Sequence, residues 1–401
     1  LTSTLKSRLL QHWFASPDAS PLPKWQQSFL RLLERLYLAL WRLREFVATH
    51  RPPPHAPDGI HVIAIGNLLV GGAGKTPCVL ALALALRAAG IPAGILSRGY
   101  KSRSERSRPT VLLPYNLMNL SPEQVGDEAW LLAWRTESPV AISKNRQWGL
   151  EALLRADPSI KVVLLDDGLQ QRSLAWNQSL LVMDDRALGN GHCLPAGPLR
   201  EPAQDLGRFS YWIDNGLSSL SSEEGRSPMA PMAPIAPMAP MAPIAPIAPI
   251  APIAPITPIA ALIAQLPAAG GPLKQTLGPW VPLEHWRDGK QWLTTPQGVA
   301  AFRGRSILAV AGIAVPDRFF NLLSELGLEF DRFALDDHDP QLVAHVIGRW
   351  QVKNYDVVLM TEKDAVKFFH HDTPLHSKAW ALRREAQLEP DVLQRLIKKA
   401  H

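Results

Sequence analysis

The chain has 401 residues, 46% of them hydrophobic, a formal charge of +6 and a sequence pI of about 9.4. That is enough apolar content for a folded protein and enough length for about two domains. Cys78 and Cys193 are the only cysteines, which argues against a disulfide framework or a structural zinc site, and the basic balance asks for an anionic partner: nucleic acid, a membrane surface or a phosphorylated substrate.

Residues 22–48 predict a helix, because Trp25, Phe29, Leu32, Leu33, Leu36, Leu40 and Leu43 recur at helical spacing. Lys24, Arg31, Arg35, Arg42 and Arg44 fall among them, too often for a spanning helix, which needs about 20 apolar residues. Such a helix either lies on an anionic membrane surface or packs on the domain beside it. From Gly59 onward strands and helices alternate: strands at 61–65, 93–96, 161–165 and 179–183, and a helix at 77–89. Two of the strands run into carboxylates, Asp166-Asp167 and Asp184-Asp185. This pattern predicts a parallel α/β sheet with helices on both faces and its site along the carboxyl edge. Residues 229–258 are ten triplets ending in proline, which excludes helix and sheet interior and favours an extended linker or surface insertion. Beyond it, strands at 306–310 and 356–360 and a helix at 316–326 predict a second, smaller α/β unit.

The sharpest chemical feature is Gly71-Gly72-Ala73-Gly74-Lys75-Thr76, between a strand and a helix. Glycines let backbone N–H groups approach a phosphate, Lys75 would reach the β- and γ-phosphates, and the Thr76 hydroxyl would ligate Mg²⁺. Leu69 stands where the strict P-loop pattern requires glycine, so the loop is a variant. Asp166 and Asp167 are candidates for the metal and for the charge of the transferring group. Asp127 could be a general base or a helix cap, and His338, among Asp336, Asp337 and Asp339, an acid/base partner or a solvated loop residue. Arg98, Lys101, Arg103, Arg106 and Arg108, with Lys144, Arg146 and Arg200, would clamp phosphates or form a solvated basic face.

Several segments together resemble the tetraacyldisaccharide 4'-kinases of lipid A biosynthesis. They are Ile65-Gly66-Asn67 with the glycine loop, Leu96-Ser97-Arg98-Gly99-Tyr100, Val125-Gly126-Asp127-Glu128, Asp166-Asp167-Gly168-Leu169-Gln170, residues 194–202, Val310-Ala311-Gly312-Ile313 and residues 360–367. The resemblance implies an N-terminal membrane-interface region (1–50), a P-loop kinase core (51–220) and a C-terminal α/β domain (276–401); the proline-rich insertion between them (221–275) has no counterpart in the family. It implies ATP and Mg²⁺, with the loop residues 71–76 and Asp166 as their ligands. Asp127, supported by His338, would deprotonate the sugar hydroxyl, Lys75 and Asp167 would serve the transferring phosphoryl group, and Arg98, Glu128, Gln170 and Arg200 would line the substrate cleft. The acceptor would be an acylated disaccharide 1-phosphate at the cytoplasmic face of a Gram-negative inner membrane. The resemblance disfavours nucleic acid and leaves the oligomeric state open, with a monomer the simplest. Three positions depart from the family: Ala73 for Thr or Ser, Gln171 for His, and Asp336-Asp337-His338-Asp339 for Asp-His-His-Asp. The competing reading is a membrane-associated switch of the partitioning NTPase type, in which the loop often opens with Lys where Val70 stands.

Overall fold

A computed structural model describes residues 3–14, 20–99, 108–204, 206–216, 266–267, 269–285, 295–337, 339–371 and 373–400. His338, residues 100–107 and the 229–258 repeat lie outside the described residues. Two helices, α1 (Ser3–Phe14) and α2 (Lys24–His50), precede β1 (His61–Gly66), α3 (Lys75–Ala88) and β2 (Ala93–Ser97). β3 (Thr110–Leu112), α4 (Pro122–Val125), α5 (Asp127–Thr136), β4 (Val140–Ile142), α6 (Arg146–Ala156), β5 (Val162–Asp166), β6 (Gln178–Asp184) and β7 (Tyr211–Asn215) follow. The C-terminal part holds β8 (Gly270–Pro282), α7 (Thr295–Phe302), β9 (Ile307–Ala311), α8 (Asp317–Glu325), β10 (Asp331–Ala334) and α9 (Leu342–Lys353). It closes with β11 (Val357–Thr361), α10 (Glu362–Ala365), β12 (Ala379–Leu388) and α11 (Pro390–Ala400).

Alternation along the strands explains the layering. On β1, Ile63 and Ile65 join a core with Val79, Leu82 and Leu86 of α3. Val62 and Ala64 point the other way, into a core with Leu38 of α2 and Leu150 and Leu153 of α6. Successive strand residues face opposite sides, so a strand buried on both faces reads as a continuous apolar run. The α3 helix starts two residues earlier than its apolar pattern predicts. Pro77 is its third residue, where a missing N–H costs nothing because the first four have no partner inside the helix.

One twelve-stranded sheet runs through both halves in the order β10-β9-β11-β12-β8-β7-β6-β1-β5-β2-β4-β3. β8 joins them: it pairs parallel with β7 at Trp212–Asp214 and antiparallel with β12 along most of its length. Beneath this junction the buried Arg135 of α5 holds Glu362 of α10 at 2.7 Å and Glu385 of β12 at 3.1 Å.

The α2 helix packs on the domain beside it and leaves an apolar stripe exposed. Glu34 and Leu38 are buried against the core, while Trp25, Phe29, Leu32, Leu36, Leu40 and Leu43 are each more than half exposed. No helix among the described residues is long and apolar enough to cross a membrane.

Candidate active site

The carboxyl ends of β1, β2 and β5 open onto a cleft of about 1510 Å³ whose far wall is built from the loops after β9 and β11. Gly71, Gly72, Gly74, Lys75, Thr76, Arg98, Glu128, Asp166, Asp167, Gln170 and Arg200 all line it. Ala73 is buried within the loop, and Asp127 is buried directly behind Glu128. Thus the structure gathers into one cleft residues scattered over more than a hundred positions.

The glycine loop is held by side chains on two sides. Gly74 caps α3 with φ 83°, a left-handed conformation that glycine adopts without steric cost. A Cβ there would also strike the Asn215 side chain, whose Nδ2 donates to the Ala73 carbonyl at 2.9 Å. On the other side Arg186 donates to the Gly72 carbonyl at 2.7 Å while paired with the buried Asp184. The α3 N-terminus therefore presents its unpaired N–H groups to the cleft, which suits a phosphate.

Lys75 is aimed by two partners. Its Nζ donates to Asn67 Oδ1 at 2.9 Å and lies 3.3 Å from Asp167. Asn67 is itself fixed through its Nδ2, which donates to the Leu69 carbonyl at 3.0 Å. Asp167 also takes both hydrogen bonds of Arg200 Nη1 at 2.8 Å. Burial works against the Asp167 charge, but Lys75 and Arg200 outweigh it and hold its pKa down at about 2.

Asp166 has the opposite environment. It is buried and accepts from Ser97 Oγ at 3.3 Å. Burial, helped by Glu128 and Asp167, pushes its pKa up to about 6 against the pull of Lys75 and Arg146. Two adjacent carboxylates thus differ sharply in their hold on a proton, which environment alone can do.

Other predicted residues are held by contacts of their own. Arg146 is buried and donates to the Ser143 and Asp166 carbonyls at 3.2 and 2.9 Å, so it braces the Asp166 strand end. Gln170 spends its Nε2 on the Asn67 carbonyl and Glu201, at 3.0 and 2.9 Å. Gln171, which replaces the family's histidine, staples its own turn: its Oε1 accepts from the N–H groups of Ser173 and Leu174. Asp127 accepts from the Glu128 N–H at 2.9 Å as a helix-start residue does, with Lys367 3.9 Å away.

The family profile for tetraacyldisaccharide-1-P 4'-kinase matches residues 26–248 and 256–401. This chain belongs to that family. It is 33% identical over 391 residues to the tetraacyldisaccharide 4'-kinase of Dechloromonas aromatica, covering 98% of this chain and 96% of that one. Against the enzyme of the same name from Herminiimonas arsenicoxydans, identity is 34% over 341 residues, 85% of this chain and 82% of that one. Among solved structures, the LpxK of Aquifex aeolicus in complex with ATP superposes with a TM-score of 0.67 at 22% identity. That superposition covers 94% of this chain and 99% of the other and establishes a shared fold.

Set in this family, three site residues escaped the sequence reading. Asn67 aims Lys75, Asn215 fixes the glycine loop, and Lys363 joins Glu128 at 2.7 Å to Asp337 at 2.9 Å. Asn67 and Lys363 lie in segments that carry the resemblance; Asn67 belongs to the same turn as Lys75, whereas nothing in the spacing around Lys363 hints at its partners. Tyr37 of α2 is a fourth: its hydroxyl donates to the Arg200 carbonyl, so the exposed helix touches the segment that carries a cleft arginine.

Proposed function

We propose that this chain transfers the γ-phosphate of ATP to the 4'-hydroxyl of a tetraacylated glucosamine disaccharide 1-phosphate, a step in lipid A biosynthesis. The observation that carries the reading is Lys75, held between Asn67 and Asp167 at the mouth of α3, in one cleft with Arg200 and Glu128. The loop N–H groups bind the β- and γ-phosphates, and Lys75 spreads their charge as the phosphoryl group moves. Arg200 stands on the other side of Asp167 and serves the same charge.

The oxygens present suit Mg²⁺. Among the described residues no group of three or more His, Cys, Asp or Glu could hold a metal, and Mg²⁺ is usually bound by one or two carboxylates plus phosphates and waters. Thr76 and Asp166 would hold it, and the buried Asp166, crowded by Glu128 and Asp167, is a carboxylate that a cation relieves. When bound, the ion neutralises charge shared by the β- and γ-phosphate oxygens.

Asp127, with His338, takes the proton of the sugar hydroxyl, while Glu128 forms the cleft wall in front of it. The α2 helix lies on the cytoplasmic leaflet of the inner membrane, its apolar stripe among lipid and its arginines at the headgroups. Tyr37 and Arg44, on another side of the same helix, line the cleft, so an acceptor held in the leaflet reaches Lys75 without leaving the surface. A phosphorylated, acylated acceptor accounts for the basic chain, and nucleic acid is no partner. The test is transfer of radiolabelled phosphate from ATP to the acylated disaccharide 1-phosphate in detergent micelles. ATP hydrolysis with no labelled lipid would overturn the reading in favour of a nucleotide switch.

A further inference from the structure

Lys363 lies across the cleft from the glycine loop and takes no part in holding it. It is the second residue of α10, a one-turn helix fixed at both ends. Thr361 caps it, its Oγ1 accepting from the Asp364 N–H at 3.2 Å, and Glu362 is anchored to α5 through the buried Arg135. Asp364 accepts from the Gly312 N–H at 3.0 Å and so ties α10 to the loop after β9. From this base the Lys363 ammonium reaches Glu128 Oε1 at 2.7 Å and Asp337 Oδ1 at 2.9 Å. Its side chain is 16% exposed.

Glu128 belongs to the α5 start and Asp337 to the loop that follows β10, so one cation joins carboxylates from the two walls. Burial opposes its charge, yet Glu128, Asp127 and Asp337 together raise its pKa. Without it Glu128 and Asp337 would face one another in a partly buried space, where like charges repel strongly.

Resting on the kinase reading above, we propose that Lys363 is a positioning residue. It ties the Asp337 loop to the Glu128 end of α5, and this tether holds the two walls of the cleft at the spacing phosphoryl transfer needs. Such a residue acts through the carboxylates it holds and leaves nucleotide binding at the Lys75 loop alone.

Full-length K363M, K363R, D337N and K363M/D337N test this. K363M should lower kcat/KM for the lipid acceptor about 30-fold, the factor set by a coupling of roughly 2 kcal/mol. The Kd of a non-hydrolysable ATP analogue should stay within about twofold, since that site keeps every contact. K363R should recover most of the loss, and D337N should reproduce it. The double variant should be no worse than K363M, because both changes cut one tether. Hydrogen exchange at the Leu335 and Asp339 amides, which donate to Ala311 and Asp336, should speed up in K363M and D337N. That readout needs no turnover, so it judges the tether even if the wild-type chain phosphorylates no lipid. Should K363M fold poorly by thermal unfolding, D337N carries the test. Unchanged exchange with unchanged kcat/KM in D337N would overturn the proposal, as would losses that multiply in the double variant or a large loss of analogue affinity in K363M.

Discussion

Replacing Asp166 by Asn should stabilise the protein while abolishing its activity, and the stabilisation should depend on pH. The carboxyl's pKa is about 6 in the folded chain against an ordinary value of 3.8. Burial is the largest cause, with Glu128 and Asp167 adding to it, and the attractions of Lys75 and Arg146 are already included in that balance. A raised carboxyl pKa means that the folded state binds the proton more tightly than the unfolded chain does. Ionised Asp166 therefore costs stability: nothing below about pH 4, progressively more between pH 4 and 6, and the full amount above pH 6. At 1.36 kcal/mol per pKa unit the full amount is on the order of 3 kcal/mol. Asparagine keeps an oxygen for the Ser97 hydroxyl, which donates at 3.3 Å, and carries no charge at any pH. D166N should then melt higher than wild type at pH 8 by about 4 °C, for a chain of this size. The gain should vanish by pH 4, and saturating Mg²⁺ with an ATP analogue should narrow it by stabilising the wild type more than D166N. Calorimetry at pH 4, 6 and 8 measures the series. Equal melting temperatures at pH 8, or a D166N deficit independent of pH, would refute the claim that this carboxylate is held ionised at a cost.

Three further outcomes follow. Lys75→Ala should lower kcat by about 10²- to 10³-fold, as removal of one preorganised charge donor does; near-normal turnover in the transfer assay would end its role. Asp127→Asn should lower kcat by about 10²- to 10⁴-fold if Asp127 takes the hydroxyl proton, and Glu128→Gln by less; the reverse order in steady-state kinetics would assign the proton to the cleft-facing Glu128. Leu36→Asp with Leu40→Asp should abolish flotation with anionic vesicles and leave the melting temperature unchanged, because both side chains are about 60% exposed; flotation that survives would show that the stripe does not meet lipid.

The sheet's first half was legible because its signal is local. β1 and β5 are apolar runs bounded by a glycine turn and an acidic pair, and the glycine loop sits between a strand and a helix as its chemistry requires. The junction between the halves was not legible. β8 contains Gly270, Gly271, Pro272, Gly278 and Pro279, residues that argue against a strand when read alone. It becomes one because β12 pairs with it over most of its length, a contact no short window contains. The α2 helix was legible as amphipathic, but its role in the core was not, since Glu34 is spoken for by His192 at 2.9 Å and the Cys193 N–H at 2.6 Å, far along the chain.

The two lysines of the cleft show the same division within the site itself. Lys75 has its positioning partner Asn67 eight residues away, on the same strand-to-helix turn, so the motif that announces the lysine also contains what aims it. Lys363 has one partner 26 residues away and the other 235, and the segment around it reads as an ordinary strand end with a charged turn. Local motifs encode the half of the site that grips a phosphate, because backbone N–H groups and a short loop suffice for that. Bringing a second wall against the first needs residues from distant segments, and their pairing exists only once the chain has folded. The Lys363 variants probe that second half, and the Lys75 variant probes the first. If the division is right, Lys363→Met spares ATP binding and loses transfer, whereas Lys75→Ala loses transfer and weakens ATP binding as well.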